Sequence, residues 1–292
     1  MPRIPVTKTP KVYVGGQFIR SESGRVFPIQ KKKHGDEGLL GNIPQCTRKD
    51  LRNAVEAAAK AGPDWAHRTP YNRGQIIYRL GEMLEARSAE MADALVISGA
   101  STKTAAAKEV GASVDRLIYY AGWADKYEQV LGNTNPVAGP FFNFTVAEPM
   151  GIIGIIADDS FPLLGLLSQV APVILSGNTV VCLASEKYPY PAIVLGEMLA
   201  TSDLPGGVVN ILTGFRKELI PTFATHTHIR AVNAVVSQEE KKQLQIGAAE
   251  SIKRVRARKR DDEIAWTATE TQSVYEIRDF IEFKTTWHPI GA

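Results

Sequence analysis

Two thiols and one dense run of cationic side chains are the residues of this sequence best suited to chemistry. Cys46 precedes Thr47, which can cap a helix starting at Arg48, and a helix N-terminus lowers a thiol pKa. No histidine nearby in sequence could serve as its base, so Cys46 reads as a packed small residue. Cys182 falls in NTVVCLA, residues 178–184, a buried strand in which a cysteine behaves as an apolar side chain. No cysteine or histidine spacing suits a zinc site or a disulfide framework. The cationic run KRVRARKR, residues 253–260, could hold nucleic acid. It lacks the aromatic interleaving of a single-strand reader. Arg256 and Arg258 alternate as on one face of a strand, and acids follow directly. A sheet edge guarded by charge is the expectation, with docking of an acidic partner surface as the alternative. KKKH, residues 31–34, reads as a solvated polar loop.

The elements that must position these residues change character along the chain. VYVGGQFI, residues 12–19, predicts a hairpin around Gly15-Gly16. A helix follows Thr47, with Leu51, Val55 and Ala58 on one face, and Gly62-Pro63 should stop it. Thr69-Pro70 should open the next. A break near Arg87-Ser88 precedes a helix to about Ser98, and a long one should run from about Lys103 to Leu131. Residues 132–140 form a turn-rich break, and FFNFTVAEP, residues 141–149, alternates as a half-exposed strand does.

From Met150 onward, strands and helices alternate: strands at 151–157, 178–184, 207–213 and 229–236, helices at 161–176, 190–202 and 217–227. Continuous apolar strands separated by helices predict an α/β fold, a Rossmann-like doubly wound parallel sheet. The chain turns polar after Ser237, and residues 276–290 read as a last strand. At 292 residues, 44% hydrophobic, with a formal charge of +3, the chain is an ordinary globular protein with no acidic partner implied by its charge. Neither a signal sequence nor a membrane span is visible, so a cytoplasmic setting is expected and a membrane partner is not.

Several collinear stretches resemble NAD(P)-dependent aldehyde dehydrogenases: YYAGWADK at 119–126, EPMGIIGIIADDSFPLL at 148–164, GNTVVCLASEKYP at 177–189, LPGGVVNILTG at 204–214 and EFKTTWHPI at 282–290. The resemblance looks closest to the non-catalytic second unit of tandem (family 16-like) members. It implies an N-terminal helical segment with oligomerisation strands at 1–147 and a nucleotide-binding-type domain at 148–237. A linker at 238–273 would stand in place of the catalytic domain, being too short to hold one, and a C-terminal oligomerisation strand would occupy 274–292.

The resemblance also locates where such an enzyme keeps its chemistry. Ser160 stands at the position of the oxyanion-stabilising Asn, preceded by Asp158 and Asp159, whose negative charge would oppose an oxyanion. Arg258 replaces the general base Glu, and a guanidinium stays protonated. The nucleophile is expected to be missing along with its domain. In the ribose loop Ser185 and Glu186 are kept, while Leu183 replaces a Lys. Gly214 is kept in the next turn, but Arg216 and Ile220 replace later glycines and would block close backbone approach. Of the turn near the nicotinamide, reading Val235-Val236-Ser237, only Ser237 survives. No catalytic residue and no tight NAD(P) binding are therefore expected, with weak adenosine contacts left to Ser185, Glu186, Gly214 and Ser237. Three roles follow in order: a non-catalytic subunit that assembles with itself, as a dimer, or with a full-length aldehyde dehydrogenase; a nucleotide sensor; and a residual enzyme.

Overall fold

The computed structural model describes residues 8–33, 36–260, 262 and 264–291. Residues 1–7, on which the expectation of no export signal rests, lie outside this range, as do His34, Asp261 and Glu263. β1 (Val12–Val14) and β2 (Gln17–Ile19) form the expected hairpin. Gly15 and Gly16 turn it at φ 61° and 80°, the left-handed pair that a type I′ turn requires. β3 (Val26–Lys33) and β4 (Asp36–Pro44) form a second hairpin. The lysines of KKKH are thus not in a loop: Lys31 and Lys32 are ladder residues opposite Gly38 and Glu37. Half-buried Phe27 and Ile29 pack on the body and carry the strand, and lysines suit a ribbon open to water.

α1 (Arg48–His67) starts where Asp50 accepts from the Thr47 N–H at 2.7 Å. It does not stop at Gly62-Pro63. Trp65 is buried beyond that point and donates through Nε1 to the Ile174 carbonyl at 2.8 Å, and this anchoring outweighs the bond lost at Pro63. α2 (Pro70–Ala86) begins on the Thr69 cap as expected, and α3 (Ser88–Ile97) follows Arg87. The long helix is two, α4 (Lys103–Trp123) and α5 (Tyr127–Leu131), with Lys126 Nζ turned back onto the Gly122 carbonyl at the break. β5 (Asn133–Asn135) lies inside the turn-rich stretch, and β6 (Phe141–Pro149) follows.

The alternating half then runs β7 (Ile152–Ile156), α6 (Leu164–Leu175), β8 (Thr179–Leu183), α7 (Tyr190–Leu199), β9 (Val209–Leu212), α8 (Arg216–Thr225) and β10 (Ile229–Val236). It does not end there. α9 (Gln238–Ala249) and β11 (Arg254–Lys259) continue it, so residues 238–273 are not a linker. Ser237 and Glu240 form a reciprocal cap on α9, a sequence signal that the polarity of the helix hid. The last elements are α10 (Val274–Arg278) and β12 (Ile281–Pro289), so the end of the chain is a helical turn before a strand.

One seven-stranded sheet has the order β11-β10-β7-β8-β9-β1-β2, parallel from β11 to β9. β1 pairs with β9, so the N-terminal hairpin extends this sheet rather than belonging to a separate unit. The strand order reverses between β7 and β10. Both faces are covered because successive strand residues feed opposite cores. Ile153 and Ile155 pack with α2, α4 and α6, whereas Ile152 and Ile156 pack with α1 and α8. Gly154 leaves room for Phe223, whose ring lies 2.7 Å from where a Cβ would stand. A separate three-stranded sheet has the order β12-β6-β5, with Ile281 and Ala147 at its inner end packed into the main core. Among the described residues no helix is long and apolar enough to cross a membrane.

Two buried cations fasten the joints. Arg73 donates to the carbonyls of Leu175 at 2.7 Å and Arg68 at 2.6 Å, clamping the turn between α1 and α2 onto α6. Lys253 is buried, not solvated, and its ammonium donates to the carbonyls of Phe223, Ala224 and His226 at the end of α8. Burial pulls its pKa down to about 8, while the three carbonyls and the negative helix end favour the charged form. Replacing Arg73 by Leu should lower stability by about 2–4 kcal/mol in urea unfolding, because buried carbonyls lose their donors. A change within about 0.5 kcal/mol would mean the clamp is idle.

Candidate functional site

In a doubly wound sheet, ligands lie outside the carboxyl ends of the strands where strand order reverses. Here that place is the crevice between β7 and β10. The residue that fills it is Arg216, at the first position of α8 and 2% exposed. Its guanidinium donates to the Ala157 carbonyl, just past β7, at 2.6 Å and to the Val235 carbonyl of β10 at 3.3 Å. It pairs with Asp159 at 3.2 Å and more loosely with Glu240 at 3.9 Å, and its Nε has no hydrogen-bond acceptor. Arg260 lies against the same two carboxylates at 3.7 and 3.8 Å. Two cations and two anions thus form a closed group across the crevice.

The residues expected to touch a cofactor are brought to this rim, but they are engaged by the protein itself. The Arg216 backbone N–H donates to Glu186 Oε2 at 2.6 Å. Ser185 Oγ donates to Asp159 at 2.6 Å and accepts from the Tyr188 N–H at 3.0 Å. Ser237 caps α9. Gly214, at φ 151°, lets the chain pass the Cys46 backbone, whose carbonyl lies 3.1 Å from where a Cβ would stand. Leu183 and Ile220 are core residues. A dinucleotide does not fit this arrangement: the guanidinium occupies the switch-point crevice, and a pyrophosphate would face Asp159 and Glu240.

The neighbouring position, where the resemblance puts the oxyanion donor, is also built over. Ser160 is exposed, and its N–H donates to Asp158 Oδ1 at 3.1 Å. Asp158 is buried and accepts from Trp266 Nε1 at 2.8 Å. Trp266, 1% exposed, packs on Leu164 and Val235, and Gly165 makes room for its indole. Arg116 on α4 holds the same segment by donating to the Trp266 carbonyl at 2.7 Å and the Thr271 carbonyl at 3.0 Å. Arg258 lies over the Trp266 ring at 5.2 Å, donates to Asn233 Oδ1 at 3.2 Å and pairs with Glu276 at 2.7 Å.

β11 is an edge strand, as its alternating arginines suggested, but those arginines are not solvated. Arg256 pairs with Glu276 and with Asp279 at 2.6 Å, fixing α10 against the strand. Burial pushes the Glu276 carboxyl up, yet Arg256 and Arg258 outweigh it and hold the pKa below the ordinary carboxylate value. Burial pushes the Cys46 thiol up to about 12 and the Cys182 thiol up as well, so neither supplies a thiolate near neutrality. Sequence reasoning missed Trp266, Glu240 and Glu276. The available signals were a lone tryptophan in a polar stretch and the Ser-x-x-Glu cap at 237–240.

Two outcomes follow from this packing. Trp266→Ala should cost about 3–5 kcal/mol and open residues 264–273 to limited proteolysis; unchanged protection would mean the indole is not what holds the segment. Because Glu276 has a folded pKa below its unfolded 4.5, its contribution is complete above that pH and fades as pH falls through the folded value. Glu276→Gln should therefore lower stability at pH 7 and shrink the loss between pH 5 and pH 3. An acid limb as steep as that of the parent would contradict the assignment.

The aldehyde dehydrogenase family model matches residues 18–258. Retinal dehydrogenase 2 of Gallus gallus is 35% identical over 253 residues, which are 85% of this chain and 48% of the relative. Omega-crystallin of Enteroctopus dofleini is 29% identical over 81% of this chain and 47% of its own. An aldehyde dehydrogenase of Bacillus cereus, solved as an NAD+ complex, superposes with a TM-score of 0.81 at 26% identity, covering 86% of this chain and 51% of that one. The chain spans about half the length of the curated relatives it matches. By the family model and the collinear fold, this protein belongs to the aldehyde dehydrogenase family.

Proposed function

We propose that this chain has no dehydrogenase turnover of its own and serves as an assembly subunit, pairing with itself or with a full-length aldehyde dehydrogenase. Kinship with the non-catalytic second unit of tandem family members is part of the same reading. The observation that carries it is Arg216. Its guanidinium takes up the crevice between β7 and β10 and is matched there by Asp159 and Glu240. The Bacillus cereus relative was solved as an NAD+ complex; a dinucleotide entering here would have to displace a buried, paired guanidinium. Such a group is costly to strip of its partners.

The positions of the oxyanion donor and the base support the same reading. Ser160 is exposed beside Asp158, which is bound to Trp266, and Arg258 is paired with Glu276. What remains available for a role is surface. β6 and β12 expose Phe141, Phe142, Val146, Phe283 and Trp287 on the three-stranded sheet. Exposed apolar patches of this kind mark interaction sites.

Calorimetry with NAD+, NADH, NADP+ and NADPH should be silent, and purified protein should give no aldehyde oxidation or ester hydrolysis. Heat of binding at micromolar cofactor would favour a nucleotide sensor instead. Turnover abolished by Cys46→Ala or Cys182→Ala would restore the enzyme reading.

A further inference from the structure

The outer edge of the main sheet carries a cavity of about 500 Å³ that the assembly reading does not use. It lies between β2, the start of the described chain and the end of α7. Strands β8, β9 and β1 separate it from the Arg216 crevice. Its shape follows from residue size. Gly196 lets α7 press onto the β1-β2 hairpin, since a Cβ there would stand 3.0 Å from Tyr13 Cβ. One turn on, the short side chains of Ala200 and Thr201 face Phe18 across a gap that no side chain fills. Buried Ile193 lines the base. Pro10 lines another side and is seated against Gly41, where a Cβ would lie 2.9 Å from the proline ring. The volume is that of a site for a small organic molecule.

The charges around this cavity are unequal. Glu197 accepts from Lys8 Nζ through Oε1 and from Arg87 Nη2 through Oε2, the latter at 3.1 Å. The same Arg87 forks onto both oxygens of Glu90, at 2.8 and 2.9 Å. Each carboxylate oxygen is thus already engaged. Lys11 is left over. It is exposed at the mouth, and among the described residues it has no carboxylate partner. Lys8, Lys11 and Arg87 together face Glu197 and Glu90, an excess of one positive charge above apolar walls.

We propose that this cavity binds an amphipathic monoanion, with its charged head at Lys11 and its apolar body against Phe18, Ile193 and Ala200. The site stands apart from the assembly reading and does not depend on it. A dianion would exceed the single surplus charge. A cation would meet Lys11 with both carboxylates already taken. A molecule polar along its length would lose water against Phe18 and Ile193 and find no partners there. An uncharged apolar molecule would gain nothing from Lys11.

Titration calorimetry on the full chain with octanesulfonate and decanesulfonate tests this. Sulfonates stay charged at every working pH and offer no group to oxidise. Both should bind, and the two added methylenes of decanesulfonate should tighten binding about tenfold. Decyltrimethylammonium should give no heat of binding. Lys11→Glu should weaken decanesulfonate at least about tenfold, while Lys11→Arg should retain it. Ala200→Trp fills the gap without touching a charge and should weaken binding as much as Lys11→Glu does. Circular dichroism and the melting temperature should be unchanged in all three variants, because the replaced side chains are exposed. Equal affinity for the two sulfonates, or binding indifferent to Ala200→Trp, would mean ion pairing at the surface and overturn the site. Equal binding of the alkylammonium would mean apolar adsorption and overturn it too. Binding seen only after removal of residues 1–7 would give the cavity to that segment instead. Silence with both sulfonates at millimolar concentration overturns the proposal outright.

Discussion

A guanidinium taken out of water must be surrounded by acceptors, and Arg216 imposes that condition on the centre of this fold. Its hydrogen bonds to the carbonyls of Ala157 and Val235 tie the ends of β7 and β10 together. Its charge draws Asp159 from the loop after β7 and Glu240 from the first turn of α9. Arg260, just beyond β11, closes the group from the far side. One side chain at the start of α8 thereby fixes the relative positions of three strand ends and two helix starts. Truncating a partner would leave a buried charge uncompensated, which is the expensive way to break such a network. The same requirement makes the crevice a poor host for a third anion beside Asp159 and Glu240.

Around that centre, the segment after β11 is packed by directional contacts as much as by apolar area. Trp266 supplies the area and a single N–H, and Asp158 takes it. Arg116 reaches from α4 to the backbone of the segment, and Glu276 gathers Arg256 and Arg258. The burial of Glu109 belongs to the same region. Its carboxylate accepts from the Leu163 and Leu164 N–H groups at the start of α6, satisfying donors that a helix end leaves free. The chain thus answers its own helix N-terminus and its own strand ends with side chains.

The small sheet β12-β6-β5 contrasts with this closed interior. Its aromatic residues sit on both faces, with Phe142 and Phe144 tilted against each other on one and Phe141 and Trp287 on the other. A three-stranded sheet that meets the core only at its inner end, through Ala147 and Ile281, gains little from packing on its own. The free energy available to it lies in covering its exposed aromatic residues.

Much of this was legible in the sequence. Runs such as Ile152–Ile156 and Thr179–Leu183 are apolar at every position, so they had to be strands buried on both faces, and the helices between them had to cover the sheet. The residues at Ser160, Arg258, Arg216 and Leu183, which the resemblance set at site positions, were also visible, because side-chain chemistry is carried by residue type alone. The sequence could not reveal where those side chains go. Helix α1 runs past Gly62-Pro63 because Trp65 finds a carbonyl 109 residues away. The polar stretch after Ser237 becomes α9 and β11 because Lys253, Arg256 and Arg258 find partners on α8 and α10. Residue type determined which charged and polar side chains the fold had to accommodate. Only the tertiary structure decided that residues such as Arg216, Asp159 and Glu240 satisfy one another, since a buried charge is stable or ruinous according to partners that are distant along the chain.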